Sequence, residues 1–374
     1  MRSSIASRVK SSKLTPGRGR WSTQARVVGR KRTGSVRRTY RDSATCRQLA
    51  WRTPSAAAWT SRPSVSAARV AVLRSCSRPA AARPPAAAAL AIKLSETHRL
   101  QLDDRLSDYL PRWPNASRIT IRQLLNHTSG VSSFDTDVSD SLNRAIDAKP
   151  HSFWSPRRTL SYARKPSFEP GARWQYNNAN YLLAGLVIER ATKTTVAHAL
   201  RRELLDPPKL DDVVLQPQER ARAPTAHGYG KIGNDRPDRD LSDGGDLVPY
   251  RSVASSAWTA GGIVASAESV ARFGDAVLRG VALGRNGRKE MTAFVPAEGP
   301  YSAYGLGLGK VHSTRVTDDM WGAVGNFPGF GGTLAHLPSR GITVVVLANQ
   351  DDATRLIADL AERLIEQAAT SKAG

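Results

Sequence analysis

The sequence predicts an α+β fold for residues 86–374: an antiparallel sheet flanked by helices, beside a helical region. A basic segment over residues 1–85 precedes it and is expected to be disordered. Two observations carry this prediction. The order of apolar patterns runs from helices to a strand meander to a last helix, which is the order of a sheet covered by helices. The charge is also split: residues 1–92 hold twenty Lys/Arg against the single acid Asp42, whereas residues 93–374 hold 35 against 31.

The elements follow in order. The head, with stretches such as "GRKRTGSVRRTYR" and "SRPAAARPPAAAA", has no sustained helical or alternating apolar period. Such a segment buries too little apolar area to offset its ordering entropy. From about Ala86, "AAAALAIKLSETHRLQLDDRLSDYLPRW" reads as a helix, an acidic turn and a short helix stopped by Pro111 and Pro114. In "RITIRQLLNHTSG" Thr120 is an N-cap, Ile121, Leu124 and Leu125 form the apolar face, and Gly130 closes the helix. "NANYLLAGLVIERAT" is apolar on nearly every face and should be buried. "VAHALRRELLDPPKL" is amphipathic, and residues 218–252 form a long Gly- and Pro-rich surface excursion of the kind that serves as a lid. Ser266 caps a helix with Val270, Phe273, Val277 and Leu278 on one face and Gly280 at its end. Three strands follow in "YGLGLGKV", "GTLAHLP" and "ITVVVLANQ". The last helix places Leu356, Ile357, Leu360 and Leu364 on one side.

Composition narrows the function classes. No run of eighteen apolar residues is present, so no transmembrane segment is expected, and the first thirty residues lack the apolar core of a signal peptide. Cys46 and Cys76 have no metal-ligand spacing, so neither metal nor cofactor is expected. The basic arm has few aromatics and no recognition motif, so any nucleic-acid binding by it would be weak and non-specific.

Six stretches in order resemble one family, the serine beta-lactamases and D-alanyl-D-alanine peptidases, in their class C beta-lactamase and esterase branch. These are "LQLDDRLSDYLP", "ITIRQLLNHTSGV", "FEPGARWQYNNANYLLAGLVIE", "TAHGYG", "AGGIVASAESVARF" and "GLGLG" with "GNFPGFGGTLAHLPSRGITVVVLAN". The resemblance covers most of residues 86–370 and implies a beta-lactamase/transpeptidase-like fold. It implies that Tyr176, in the family's Tyr-x-Asn, is the general base or proton relay of a serine nucleophile, and that Asn178 binds the substrate's amide or helps orient the nucleophile's Lys partner. It implies further that Gly325 ends the third motif on the substrate-binding strand, and that His127 is structural. The implied substrate is a small-molecule or peptide acyl donor: a beta-lactam, a D-amino-acid peptide or an ester. Relatives are mostly exported or attached to the cell envelope.

The remaining motifs depart from the family. Its nucleophile lies in Ser-x-x-Lys at the start of a helix, where i and i+3 share a face and the amine lies beside the hydroxyl. Counting back from Leu102-Asp103-Asp104 places that motif near residues 77–84, which read "SRPAAARP". Ser77 is present, but Ala80 stands where the Lys belongs, and no Lys occurs between Lys31 and Lys93. Ser7-Arg8-Val9-Lys10 matches the spacing but lies in the basic head with no apolar face. The third motif falls on Ala323-Val324-Gly325, with Ala323 in place of a Lys or His. His336 is expected to be a structural strand residue.

The chain is therefore expected to be a beta-lactamase-related serine hydrolase domain with impaired catalysis. A frame disruption upstream of about Ala86 would account for the abrupt change of texture, though not for Ala323. The alternatives are a non-catalytic member binding peptidoglycan-like ligands or a partner, and weak nucleic-acid binding through the basic arm. Because the family sheet draws strands from before the nucleophile helix, this sheet is expected to be short or poorly edged. "RVAVLRS" is the one candidate replacement strand.

Overall fold

The chain is described from a computed structural model over residues 69–72, 80–82, 85–134, 139–163, 165–232, 238–242 and 247–370. All belong to one unit, Pro63–Gly374. Two short strands precede residue 86, β1 (Arg69–Val72) and β2 (Ala80–Ala82). The disorder expected across 1–85 therefore does not extend to these segments, whose backbones pair with the body. The rest of that stretch, with Ser77, Cys46 and Cys76, lies outside the described residues.

The helical region contains α1 (Ala86–Glu96), α2 (Ile121–Leu125), α3 (Ser139–Asp147), α4 (Pro156–Leu160), α5 (Asn178–Thr192), α6 (Val196–Leu200) and α7 (Arg251–Ala257). α8 (Ala267–Leu278), α9 (Arg285–Met291) and α10 (Thr354–Thr370) complete the set. Thr120 caps α2 as expected: its hydroxyl accepts from Gln123 N, and Gln123 Oε1 accepts from Thr120 N. Gly130 does not close that helix. α2 stops at Leu125, and His127 takes the left-handed conformation after the Asn126 cap, at φ +65°. Gly130 (φ +73°) serves the next turn, where a Cβ would lie 2.0 Å from Phe168 O.

α5 is the axis of the helical region. Leu182, Leu183, Val187 and Ile188 are completely buried, each contributing roughly 1.5–3 kcal/mol relative to exposure. The amphipathic stretch after it begins as α6 and then widens over Arg201–Leu205 into a π-turn, with Asp206 N bonded to Arg201 O.

The remaining strands are β3 (Val214–Leu215), β4 (Tyr229–Gly230), β5 (Arg239–Asp240), β6 (Ile263–Ala265), β7 (Val295–Pro296), β8 (Ala303–Tyr304), β9 (Gly309–Ser313), β10 (Asp318–Phe327), β11 (Phe330–Leu337) and β12 (Ile342–Ala348). The main sheet has seven strands in the order β1-β12-β11-β10-β9-β8-β7, antiparallel except for β1 beside β12. The expectation of a short sheet is corrected on strand number: the "RVAVLRS" segment supplies one edge. Both edges are short, with four residues in β1 and two in β7. A smaller sheet, β2-β6-β3, joins the chain just before α1 to the helical region.

β10 was expected only from the family resemblance, which puts Ala323 and Gly325 on a strand. "DDMWGAVGNF" has two glycines and no β-branched run, so local propensity does not single it out. It forms because β9 and β11 satisfy both of its edges, from Met320 opposite Val311 to Phe327 opposite Phe330. α8 and α10 cover the sheet. Val270, Phe273, Val277 and Leu278 of α8 are buried as read. On α10 the buried face is Ile357, Ala361 and Ile365, with Leu360 and Leu364 at its margin and Leu356 69% exposed. The apolar stripe is rotated from the expected one because the helix sits over β11 and β12 at i, i+4 and i+8. Part of the 218–252 excursion is anchored rather than free: Ile232 and Leu241 are buried, and Tyr229 N donates to Asn349 O.

Candidate active site

The turn after α2 and the start of α5 build one polar cluster. His127 is fully buried, and its Nδ1 accepts from Asn177 N at 3.2 Å. Asn180 Nδ2 lies 3.2 Å from the same nitrogen, and Asn180 Oδ1 accepts from Ser129 Oγ at 2.6 Å. With Nδ1 as acceptor, the neutral ring carries its proton on Nε2, which has no hydrogen-bond partner. Four aromatic rings surround the imidazole instead: Tyr176 at 4.4 Å, Tyr304 at 4.9 Å, Tyr181 at 5.4 Å and Trp174 at 6.2 Å. Burial pushes the imidazole pKa down to about 3, so His127 is a neutral platform. Burial likewise pushes the Tyr181 and Tyr304 phenols up, so both keep their protons. Tyr181 donates to Leu125 O at 3.1 Å.

Tyr176 lies on this platform, 37% exposed, with its hydroxyl 3.4 Å from Asn178 Oδ1. Asn178 opens α5, but the helix cap is its neighbour Asn177, whose Oδ1 accepts from Ala179 N. Tyr176 lines a cavity of about 50 Å³ together with Pro85, Ala86 and Ala87 from the start of α1, and Ala323 and Val324 of β10. Tyr181, Thr259, Tyr301, Tyr304 and Gly307 line it as well. Tyr176 and Ala323 thus share one cavity. Asn178 is not in the lining but accepts from the Tyr176 hydroxyl that is, and Gly325 pairs with Gly332 further along β10, outside the lining. His336 lies apart, buried in β11 against the Thr343 hydroxyl at 2.8 Å, with burial pushing its pKa down to about 4.

Sequence reasoning missed Tyr181, Thr259, Tyr301 and Tyr304. Thr259 follows the left-handed Trp258 (φ +38°), and its hydroxyl donates to Tyr181 O at 2.8 Å. Tyr301 accepts weakly from Val324 N at 3.4 Å, so it covers the backbone of the third-motif strand. The pair in "YSAY" was readable only as an approach to a strand. Its role arises from β8 and β9 crossing beside β10. The hydroxyls of the described lining are therefore phenols and one threonine. No lysine, histidine or carboxylate joins them.

A helix start, a Tyr-x-Asn turn and a sheet strand converging on one cleft define a beta-lactamase/transpeptidase-like fold. The chain belongs to the Beta-lactamase family, whose family model matches residues 84–369. A putative penicillin-binding protein, PbpX, of Bacillus subtilis (strain 168) is 25% identical over 256 residues. That match covers 68% of this chain but only 57% of the relative's own length. The teichoic acid D-alanine hydrolase of Staphylococcus aureus is 25% identical over 138 residues, 37% of this chain and 32% of that protein. Among solved structures, a D-stereospecific amidohydrolase from Streptomyces sp. superposes with a TM-score of 0.64 at 27% identity, covering 72% of this chain and 80% of that one. The D-amino acid amidase of Ochrobactrum anthropi SV3, at 22% identity and a TM-score of 0.62 over 76% and 83% of the two chains, shares the fold.

Proposed function

We propose that this chain keeps the acyl-recognition cleft of a beta-lactamase-related serine hydrolase but lacks its nucleophilic machinery. It would bind an amide or ester of D-amino-acid type and turn it over very slowly or not at all. One observation carries this reading. The chain enters the cavity with Pro85, Ala86 and Ala87 at the start of α1, directly after the stretch near residues 77–84 where the family resemblance places Ser-x-x-Lys. None of these offers a hydroxyl or an amine.

The chemistry follows from what is present. Acyl transfer requires an oxygen or sulfur that attacks the carbonyl carbon and a base that takes its proton. The lysine of α1, Lys93, sits in the helix's last turn, donating to Ala282 O at 3.1 Å and lying 3.8 Å from Glu96. It is committed at the opposite end of the helix from the cavity. In this reading Tyr176, which the family resemblance makes a general base or proton relay, acts only as a hydrogen-bonding hydroxyl. Asn178 orients it, and the β10 backbone toward Gly325 flanks the ligand. Where nucleophile and partner act as a unit, losing the nucleophile lowers turnover by about 10⁶, leaving roughly 10³–10⁴ over water from binding and orientation.

The test combines labelling with turnover. The protein is incubated with a fluorescent penicillin and a fluorophosphonate and weighed intact, and ammonia release from D-phenylalanine amide is followed. No adduct and no enzyme-dependent ammonia are expected. Stoichiometric labelling mapped to any serine in residues 77–374 would overturn the reading, since a different hydroxyl would then be the nucleophile.

A further inference from the structure

A second and larger cavity lies on the helical region and shares no lining residue with the Tyr176 cavity. It has a volume of about 890 Å³, within the usual range for small-molecule sites. Three segments build it. α5 contributes Leu183, Leu186 and Arg190, which at i, i+3 and i+7 lie on one helix face. α4 contributes Arg157, Leu160 and Ser161 at i, i+3 and i+4. The turn from Tyr109 to Pro114 closes the third side with Arg112 and Trp113.

The result is amphiphilic. Leu110, Leu160 and Leu183 form a buried apolar floor, and Trp113 is a half-buried aromatic wall. Arg112, Arg157 and Arg190 are exposed at the rim. No acidic side chain is among the described lining, and none of the three guanidiniums has a hydrogen-bond or ion-pair partner among the described residues. Nearby acids are committed elsewhere. Asp104 Oδ2 accepts from Gln101 N and Tyr109 OH, both at 2.7 Å, and Asp108 Oδ2 accepts from Arg105 N. Glu189 Oε1 accepts from Gln218 Nε2 at 2.7 Å.

Three unpaired guanidiniums around one cavity repel one another, and they favour an anion with several acceptor oxygens. The leucine floor and Trp113 favour a flat apolar body on the same molecule. We propose that this cavity is a binding site for a small amphiphilic anion, an aryl phosphate monoester in class. The phosphate would sit among Arg112, Arg157 and Arg190, and the ring would rest against Trp113 and the leucines. Charge complementarity argues for the phosphate end, and the volume of about 890 Å³ argues for a small molecule rather than a protein segment.

The test is calorimetric titration of the full chain with 1-naphthyl phosphate, beside 1-naphthol, which lacks the charge, and inorganic phosphate, which lacks the ring. The aryl phosphate is expected to bind at least about tenfold more tightly than either fragment, and more weakly as salt is raised. Each of Arg112→Gln, Arg157→Gln and Arg190→Gln should weaken binding roughly three- to tenfold, and the triple variant at least about thirtyfold. All three positions are exposed, so the variants should keep the parent circular dichroism spectrum. Trp113→Phe should remove the ligand-induced change in tryptophan fluorescence, and Tyr176→Phe should leave the affinity unchanged. Binding no tighter than that of either fragment, equal affinity in the triple variant, or sensitivity to Tyr176→Phe would each overturn the proposal.

Discussion

Replacing His127 by asparagine should flatten the fall of stability on acidification. The imidazole is fully buried, and its Nδ1 faces the Asn177 N–H and the Asn180 amide. A second proton would have to enter at Nδ1, against two donors, in a buried site with no carboxylate among its described neighbours. The folded pKa is thus depressed to about 3, against about 6.5 in the unfolded chain. Between those values the unfolded state binds the proton and the native state does not, so stability present above pH 6.5 is lost as pH falls toward 3. At pH 5 the loss from this one site is about 2 kcal/mol. His336, pushed down to about 4 in the folded chain, adds a similar loss of about 2 kcal/mol at that pH. Asparagine tolerates the left-handed backbone at φ +65° and cannot titrate. The assay is urea denaturation at pH 7.5 and pH 5.0 for both proteins. His127→Asn starts lower at pH 7.5, because a buried ring is lost. The difference between its two pH values should nonetheless be smaller than the parent's by about 2 kcal/mol. Equal pH differences in the two proteins, within about 0.5 kcal/mol, would show that His127 is not held neutral by the fold.

Two further outcomes follow from close packing. Gly185→Ala would place a Cβ 2.6 Å from Thr259 Oγ1 and 2.8 Å from Trp258 Cζ3, a buried ring with nowhere to move. It should cost roughly 1–3 kcal/mol in thermal or chemical denaturation, as overpacked cores do, and shift the Thr259 resonances of the cavity wall. Asp351→Ala removes the carboxylate that accepts from Lys231 N at 2.9 Å and Gly329 N at 3.3 Å. The buried Gly329 amide and the partly buried Lys231 amide would be left without acceptors, for a loss of about 2–4 kcal/mol, and both should exchange amide hydrogens faster than in the parent.

Much of the fold was legible because it rests on local chemistry. The Thr120 and Ser266 caps, the uniformly apolar α5 and the Val-rich β12 are written in runs of adjacent residues, where capping and period act over one or two turns. The cationic head is equally plain in composition. Tyr176 was legible by a different route, as part of a Tyr-x-Asn pattern set in an ordered series of family-like stretches. Three helix readings needed correction: the short helix before Pro111 is only a 3-10 turn over Leu106–Asp108, and the end of α2 and the buried face of α10 concern which of several compatible positions tertiary contacts select.

What the sequence by itself determined was therefore the inventory: helices before a meander, a basic head, a Tyr-x-Asn turn, and no Ser-x-x-Lys at the family's spacing, near residues 77–84, ahead of Leu102-Asp103-Asp104. Tertiary structure decided the pairings. β10 is a strand because β9 and β11 flank it, and β1 runs parallel to β12 as a sheet edge. Tyr304 meets Tyr176 and His127 across more than a hundred residues of chain, with Tyr301 against Tyr304. Arg112, Arg157 and Arg190 come to rim one cavity from three separate segments. Caps and periodicity are enforced by neighbours a few residues away, whereas a cleft is enforced by which distant surfaces exclude water together, and no short window of sequence contains both sides of such a contact.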